Sequence, residues 1–378
     1  MVASAPRARA RRKRSLAFVG VPLPDVLRQL LTAAGPSGYE TAPAAVFAEA
    51  GRAFTDDVVV DVMGSAVARV RSNPAHPTSE GAPFLAVVGH IDEIGLIVTH
   101  IEDEGFLRFI GVGGWDPQIL VGQRVEVITR DGPLPGVVGK KPIHLLRDEE
   151  RKKVAEMREL HIDVGAADGD EARARVRIGD VAVIEGEPVA LLGDRVISRS
   201  MDNRLGAFIA LEAARLVAEA GGAPGDVAAV GVVQEEITFA GARTSAYGLR
   251  PDVAIVVDVT HETSAPGIDV KEIGKHEFGA GAVIERGSVL HPAVFELLHE
   301  TAEREQIPFT VQASARSTGT DADAIHFSRA GVPTGGVSIA LRYMHSPVEM
   351  VQLSDIEACA RLIAAFAQSL SAETAFAR

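Results

Sequence analysis

Short apolar runs recur along the chain, and what lies between them changes twice. Up to about residue 95, helical and strand-like patterns mix. PLPDVLRQLLTAAG carries apolar positions at helical spacing from Pro24 to Ala34 and is closed by Gly35-Pro36. TAPAAVFAEAGRAF continues the amphipathic pattern, and VVVDVMGSAVARV reads as strand, turn, strand. A polar loop rich in Pro and Gly, residues 73–83, then gives way to the apolar run FLAVV. From 96 to 189 the pieces are short and strand-like: GFLRFIGV, QRVEVIT, LPGVVGK, LHIDVGA and DVAVIEGEPVALL, with RDEERKKVAEMREL the one helical pattern. That texture predicts a mostly β module, a barrel or open sandwich, inserted into another domain. From 190 onward long helical patterns (NRLGAFIALEAARLVAEAG, HPAVFELLHETAEREQIP, LSDIEACARLIAAFAQSLSAE) alternate with the runs DVAAVGVVQ, VAIVVDV and GGVSIA. Strands alternating with helices predict an α/β fold with a largely parallel sheet. The expected organisation is a tail over 1–21, one domain made of 22–95 and 190–378, and the insert 96–189.

In open α/β sheets, ligands sit at the carboxyl ends of the strands. Here FLAVVG ends in His90, followed by Asp92 and Glu93; VAAVGVVQ ends in Glu235-Glu236; VAIVV ends in Asp258; and GGVSIALRYM leads into His345. Asp202 opens the long helix, where the dipole also favours a carboxylate. Any one of these alone is an ordinary packed histidine or capping acid. Delivered together to one edge of one sheet, they form a coordination set. Histidines and carboxylates without cysteine suit zinc, cobalt or manganese. The number of ligands serves two divalent ions if one aspartate bridges them, and a glutamate left over would serve as general base for a water and then as proton donor to a leaving amine. Asp92, two positions after His90 on an extended chain, points to the same side and is placed to orient that imidazole.

Composition narrows the reading. Hydrophobic residues make up 47% and charged residues 24% of the 378, ordinary for a globular chain with a substantial core. No apolar run is long enough for a membrane helix, so no membrane partner is expected. Cys359 is the sole cysteine, which excludes an internal disulfide and makes a reducing, cytoplasmic compartment the expectation. Net charge is −13 although residues 7–14, RARARRKR, are strongly basic, so the body is more acidic still. With one Trp and three Tyr besides, nucleic-acid binding is not expected. The basic run is read as a disordered tail; the alternative of an export signal founders on Pro22 and Pro24, which cut SLAFVGV short.

GHIDEIGL, SMDNRLGAF, VQEEITFAGA, VVDVTHE, GTDADAIH and RYMHSPVE, in this order, resemble the tetrahedral, self-compartmentalising aminopeptidases, a family that includes glutamyl and deblocking aminopeptidases and some members once labelled endoglucanases. The resemblance runs from GPSGYE at residue 35 to the final helix. It implies a zinc-peptidase-like three-layer α/β sandwich with a mostly parallel central sheet and an inserted β-barrel-like domain used for dimerisation. It further implies one metal on His90, Asp202 and Asp258, a second on Asp202, Glu236 and His345, Glu235 as general base and Asp92 as the orienting acid. Assemblies from dimer up to dodecamer, and peptide substrates, are implied as well. Asp321 and His326 are candidates for the substrate pocket, Asp321 as support for its floor. His144 and His261 are read as surface or structural histidines, and Trp115 as packing or interface. Ser65, Thr238-Phe239, Asp323 and EFGAGAVI depart from the family pattern without touching a ligand; they bear on side-chain preference and assembly. A hydrolase of N-acylated or otherwise modified amides would use the same metal pair. A glycosidase needs two unencumbered carboxylates, and here the best-placed acids are taken up as ligands. A non-catalytic oligomeric scaffold would be expected to have lost a ligand or Glu235.

Overall fold

A computed structural model describes residues 22–376, so the tail predicted over 1–21 lies outside the described residues. The central element is an eight-stranded sheet in the order Val58–Val60, Ala66–Val70, Val227–Val232, Leu85–His90, Val253–His261, Thr334–Leu341, Ala282–Gly287, Phe309–Ser314. The four strands from Val227–Val232 to Thr334–Leu341 run parallel, the arrangement that helical crossovers impose. The flanking pairs add antiparallel edges. The runs Ala282–Gly287 and Phe309–Ser314 were not legible as strands: the first is interrupted by the charged pair Glu285-Arg286 and the second is only half-buried at the sheet edge.

Leu85–His90 is buried throughout because both faces of the sheet are covered. Leu85 and Val87 pack with Leu27, Phe47 and Ala207, while Ala86 and Val88 pack with Ala242, Ala324 and Ile325 on the other face. Each fully buried Leu or Phe contributes roughly 1.5–3 kcal/mol by leaving water. The helix Met201–Glu219 lies directly on the sheet, and glycine permits it. A Cβ on Gly89 would sit 2.3 Å from the Gly206 carbonyl carbon, and one on Gly206 would sit 2.5 Å from the Val257 carbonyl oxygen. That close approach sets the start of the helix, with Asp202, beside the end of the strand that carries His90.

Strands Gly95–Ile101, Leu107–Val112, His161–Asp163, Gly132–Gly139, Arg124–Thr129 and Val181–Ile184 close into a barrel around Leu96, Leu107, Phe109, Val125, Val127 and Ile162. The fold is thus α/β, a covered and mostly parallel sheet with an inserted closed barrel. RDEERKKVAEMREL is not one helix but a turn at Asp148–Arg151 and a 3-10 turn at Met157–Glu159. Both Ala155 and Leu160 must enter the barrel core, and five residues of helix would rotate them about 140° apart. A helix that the sequence pattern did not reveal, Gly169–Arg175, is capped by Asp168, whose side chain accepts from the Glu171 amide at 2.9 Å. Among the described residues no helix is long and apolar enough to cross a membrane.

Candidate metal centre and active site

The sheet, the long helix and two loops deliver their acids and histidines to one place. His90 ends its strand and is 1% exposed. Asp258 does not end its strand as expected but lies inside Val253–His261; the neighbouring strand pairs with it only as far as Val256, which frees that flank for the cluster. Glu235 and Glu236 do not leave an extended strand either. They begin a short helical turn, Glu235–Thr238, entered through Gln234 at φ 59°. Asp202 and Asn203 leave helical geometry at the start of Met201–Glu219, with the Asn203 side-chain Nδ2 donating to the Val257 carbonyl at 2.7 Å. His345 sits on the loop after Thr334–Leu341 at φ 57°.

Asp202 stands between the two imidazoles. Its Oδ1 lies 3.2 Å from His90 Nε2, and its Oδ2 lies 3.4 Å from His345 Nε2. His90 Nε2 is also 3.6 Å from Glu235 Oε2, and His345 Nε2 is 3.3 Å from Glu236 Oε1. Ligand atoms of His90, Glu235 and Asp258 fall within 4.8 Å of one another, as do those of His90, Asp202 and Glu236. These triplets overlap the sets implied by the resemblance without coinciding with them, since Glu235 joins one and His345 neither.

The far nitrogen of each ring is already occupied. His345 Nδ1 faces the Gly114 carbonyl at 3.0 Å, and His90 Nδ1 faces the Asp92 carbonyl at 3.3 Å and Asp92 Oδ1 at 3.4 Å. Carbonyls and carboxylates only accept, so both Nδ1 atoms carry hydrogen and both Nε2 lone pairs face carboxylate oxygens. Lone pair against lone pair at such distances requires a cation between them, either a proton or a metal ion. Acidity shows the same demand. Burial lowers the His90 pKa, but Glu235, Asp202 and Asp92 outweigh it and hold it well above the usual value. Hydrogen bonds to Asp202 and Glu236 raise His345 to about 11. Burial lifts Asp202, yet the two imidazoles override it and hold its carboxyl below the ordinary range. Burial pushes Glu235 up to about 9, and raises Asp258 and Asp321 well above the carboxylate range. A set of buried acids that can relieve its repulsion only by taking up protons is a set that fits divalent cations.

The residues around the cluster fall into two groups. Asp92 accepts from Ser37 Oγ at 2.6 Å and from the amides of Glu235 and Glu236, both at 3.1 Å. Glu93 turns away from the cluster: it accepts from the Gly35 amide at 3.1 Å, from Arg204 at 3.0 Å and from Arg199. Glu349 accepts from the His345 amide at 2.8 Å and the Asp202 amide at 3.2 Å, tying the two together. Asp321 is fully buried and its oxygens have no hydrogen-bond partner among the described residues; His90, Asp258 and Glu235 feel its charge. His326 is not brought into the cluster: its Nδ1 faces the Ala322 carbonyl at 2.9 Å, and it lines a separate cavity with Ser288, Val332 and Pro333. Trp115 borders the site cavity beside Asp202, Glu236 and His345, and donates to the Gly95 carbonyl at 2.8 Å. His144 and His261 are exposed and outside the cluster. Glu40, Ser37, Gly114 and Glu349 escaped sequence reasoning; only Glu349, four residues after His345, carried a local signal.

A profile of the M42 glutamyl aminopeptidase family matches residues 74–362. The lysyl aminopeptidase of Pyrococcus furiosus is 32% identical, over 92% of this chain and 97% of that protein. The crystal structure of a TET aminopeptidase from the marine sediment archaeon Thaumarchaeota archaeon SCGC AB-539-E09 superposes with a TM-score of 0.86 at 34% identity, covering 92% of this chain and 96% of that one. The TET1 peptidase of Pyrococcus horikoshii, which can assemble into a tetrahedron or a large octahedral shell, superposes with a TM-score of 0.79 at 30% identity, covering 91% and 99%. With its barrel, its covered sheet and its cluster of histidines and acids, this chain belongs to the M42 glutamyl aminopeptidase family of peptide-bond hydrolases.

Proposed function

We propose that this chain is a metal-dependent aminopeptidase that removes N-terminal residues from short peptides. Asp202 is the observation that carries the reading, because each of its oxygens faces a different imidazole, as a bridge between two ions requires. Asp258 with His90 would hold one ion on Asp202, and Glu236 with His345 would hold the other. Two divalent ions, zinc or cobalt with manganese as a further option, would supply the Lewis acidity that lowers the pKa of a water and polarises a carbonyl. Glu235, beside His90 and outside the bridge, takes the proton from the water and returns it to the departing amine. Asp92 fixes the His90 ring through Nδ1 and, through its carboxylate, holds the backbone of the glutamate turn. The barrel serves as the self-association surface, in line with the shells that the Pyrococcus horikoshii protein forms, and the assembly extends from dimer up to dodecamer. The compartment is cytoplasmic, as the lone buried cysteine fits.

Elemental analysis of bound metal, with release of free amino acids from a panel of free and N-blocked peptides before and after chelation, tests the reading. About two metals per chain and chelator-sensitive release from free peptides are expected. Turnover of blocked peptides alone would transfer the chain to modified amides, and full turnover after complete metal removal would sink the metal-dependent reading.

A further inference from the structure

The turn that carries Glu235 and Glu236 is gripped by its backbone. Three successive amides point at two buried carboxylates: the Gln234 amide donates to Glu40 Oε1 at 3.0 Å, the Glu235 amide to Asp92 Oδ1 at 3.1 Å, and the Glu236 amide to Asp92 Oδ2 at 3.1 Å. Both carboxylates are themselves tied to one short stretch of the GPSGYE segment. Ser37 Oγ donates to Asp92 Oδ2 at 2.6 Å, and the Gly38 amide donates to Glu40 Oε1 at 2.7 Å. Glu40 is 5% exposed and lies almost two hundred residues from the turn in sequence. Gln234 is in the left-handed region at φ 59°, a conformation that a residue with a side chain holds only where its surroundings fix it. The Glu40 contact supplies that fixing on the amide which opens the turn.

We infer that Glu40 is a positioning residue for Glu235: by accepting from the Gln234 amide it locks the left-handed entry to the turn and thereby sets where the Glu235 carboxylate stands relative to His90. This rests on Glu235 being the general base. Glu40 touches neither ligand cluster nor substrate cavity; it acts through the backbone. The contact needs an acceptor oxygen at that position and not a charge, which separates it from a generic buried acid.

The test is steady-state kinetics on short peptides, with metal content and thermal midpoint, for Glu40→Met, Glu40→Gln and Glu235→Gln. Methionine keeps the volume and removes the acceptor; glutamine keeps an oxygen that accepts both amides. Glu40→Met is expected to lose roughly 10- to 100-fold in kcat, the effect of a misplaced catalytic group, with KM within about twofold and metal content unchanged. Glu40→Gln is expected to stay within about threefold of the wild-type kcat. An undiminished kcat in Glu40→Met overturns the inference, and so does an equal loss in both variants. If Glu40→Met does not fold, Glu40→Asp, one methylene short of the amide, replaces it under the same criteria. Near-full activity in Glu235→Gln would instead overturn the general-base reading, whereas an inactive Glu235→Gln beside an intact Glu40→Met overturns the clamp alone.

Discussion

His90 and His345 reach the same aspartate from differently built regions. His90 is the last residue of an interior strand, buried, with its ring braced by Asp92 two residues on. His345 lies on a loop at positive φ with its side chain 34% exposed, and its ring is braced by the Gly114 carbonyl from the inserted barrel. One half of the site is therefore built by the packing of the sheet. The other half requires the barrel to be seated against the sheet domain. The difference shows where the centre is rigid by construction and where it depends on a second folded unit. Asp202, bonded through its backbone amide to Glu349 and facing both rings, joins the halves.

Removing the joint is the harshest break. Asp202→Asn leaves a neutral amide between the imidazoles and, on the proposed two-ion reading, should lose bound metal together with roughly a thousandfold or more of activity, the several kcal/mol of transition-state charge stabilisation that such ions would supply. Full metal occupancy in that variant would undo the two-ion reading. Glu235→Gln comes next: metal retained in both halves, and turnover reduced by roughly 10²–10⁴-fold through loss of proton transfer. If it lost metal as Asp202→Asn does, Glu235 would be a ligand, as its grouping with His90 and Asp258 allows.

The same contrast governs what could be read from sequence. The sheet half was legible because apolar runs buried on both faces announce interior strands, and FLAVVGH places its polar residue where such a strand stops. Asp258 was found but placed at a strand end, because sequence does not show that Leu85–His90 parts from its neighbour after Val256. The barrel was legible as texture and not as register: Ala155 and Leu160 entering one core overrode the helical pattern of RDEERKKVAEMREL. Glu40 and the Gly114 carbonyl act across contacts between distant segments, and a backbone oxygen has no signature in sequence. Glu93 follows His90 and Asp92 at the end of the same apolar run, as a candidate corner of the site would, yet its carboxylate neutralises Arg199 and Arg204.

The barrel's grip on His345 can be weakened without replacing any of the proposed ligands. Gly113 adopts φ 76°, and a Cβ there would sit 2.6 Å from an Ile94 methyl carbon and 3.5 Å from Glu236 Cβ. Gly113→Ala should push the loop off the site and lower metal affinity by roughly 10- to 100-fold, with one ion lost before the other in a chelator titration. Both ions leaving together, at the wild-type chelator concentration, would show that the loop does not hold His345.

Trp115→Phe is the mildest probe of the same seam. Its indole N–H to the Gly95 carbonyl, at 2.8 Å, joins the loop after Leu107–Val112 to the first residue of the barrel's opening strand. Phenylalanine preserves most of the apolar contact and deletes one hydrogen bond, worth about 1 kcal/mol. Thermal stability should fall by that amount while metal content and kcat stay near wild type, because the Gly114 carbonyl is still presented to His345. A loss of kcat at unchanged stability and metal content would instead place the Trp115 ring among the groups that meet the substrate, which its position on the cavity wall beside His345 makes the direct rival reading.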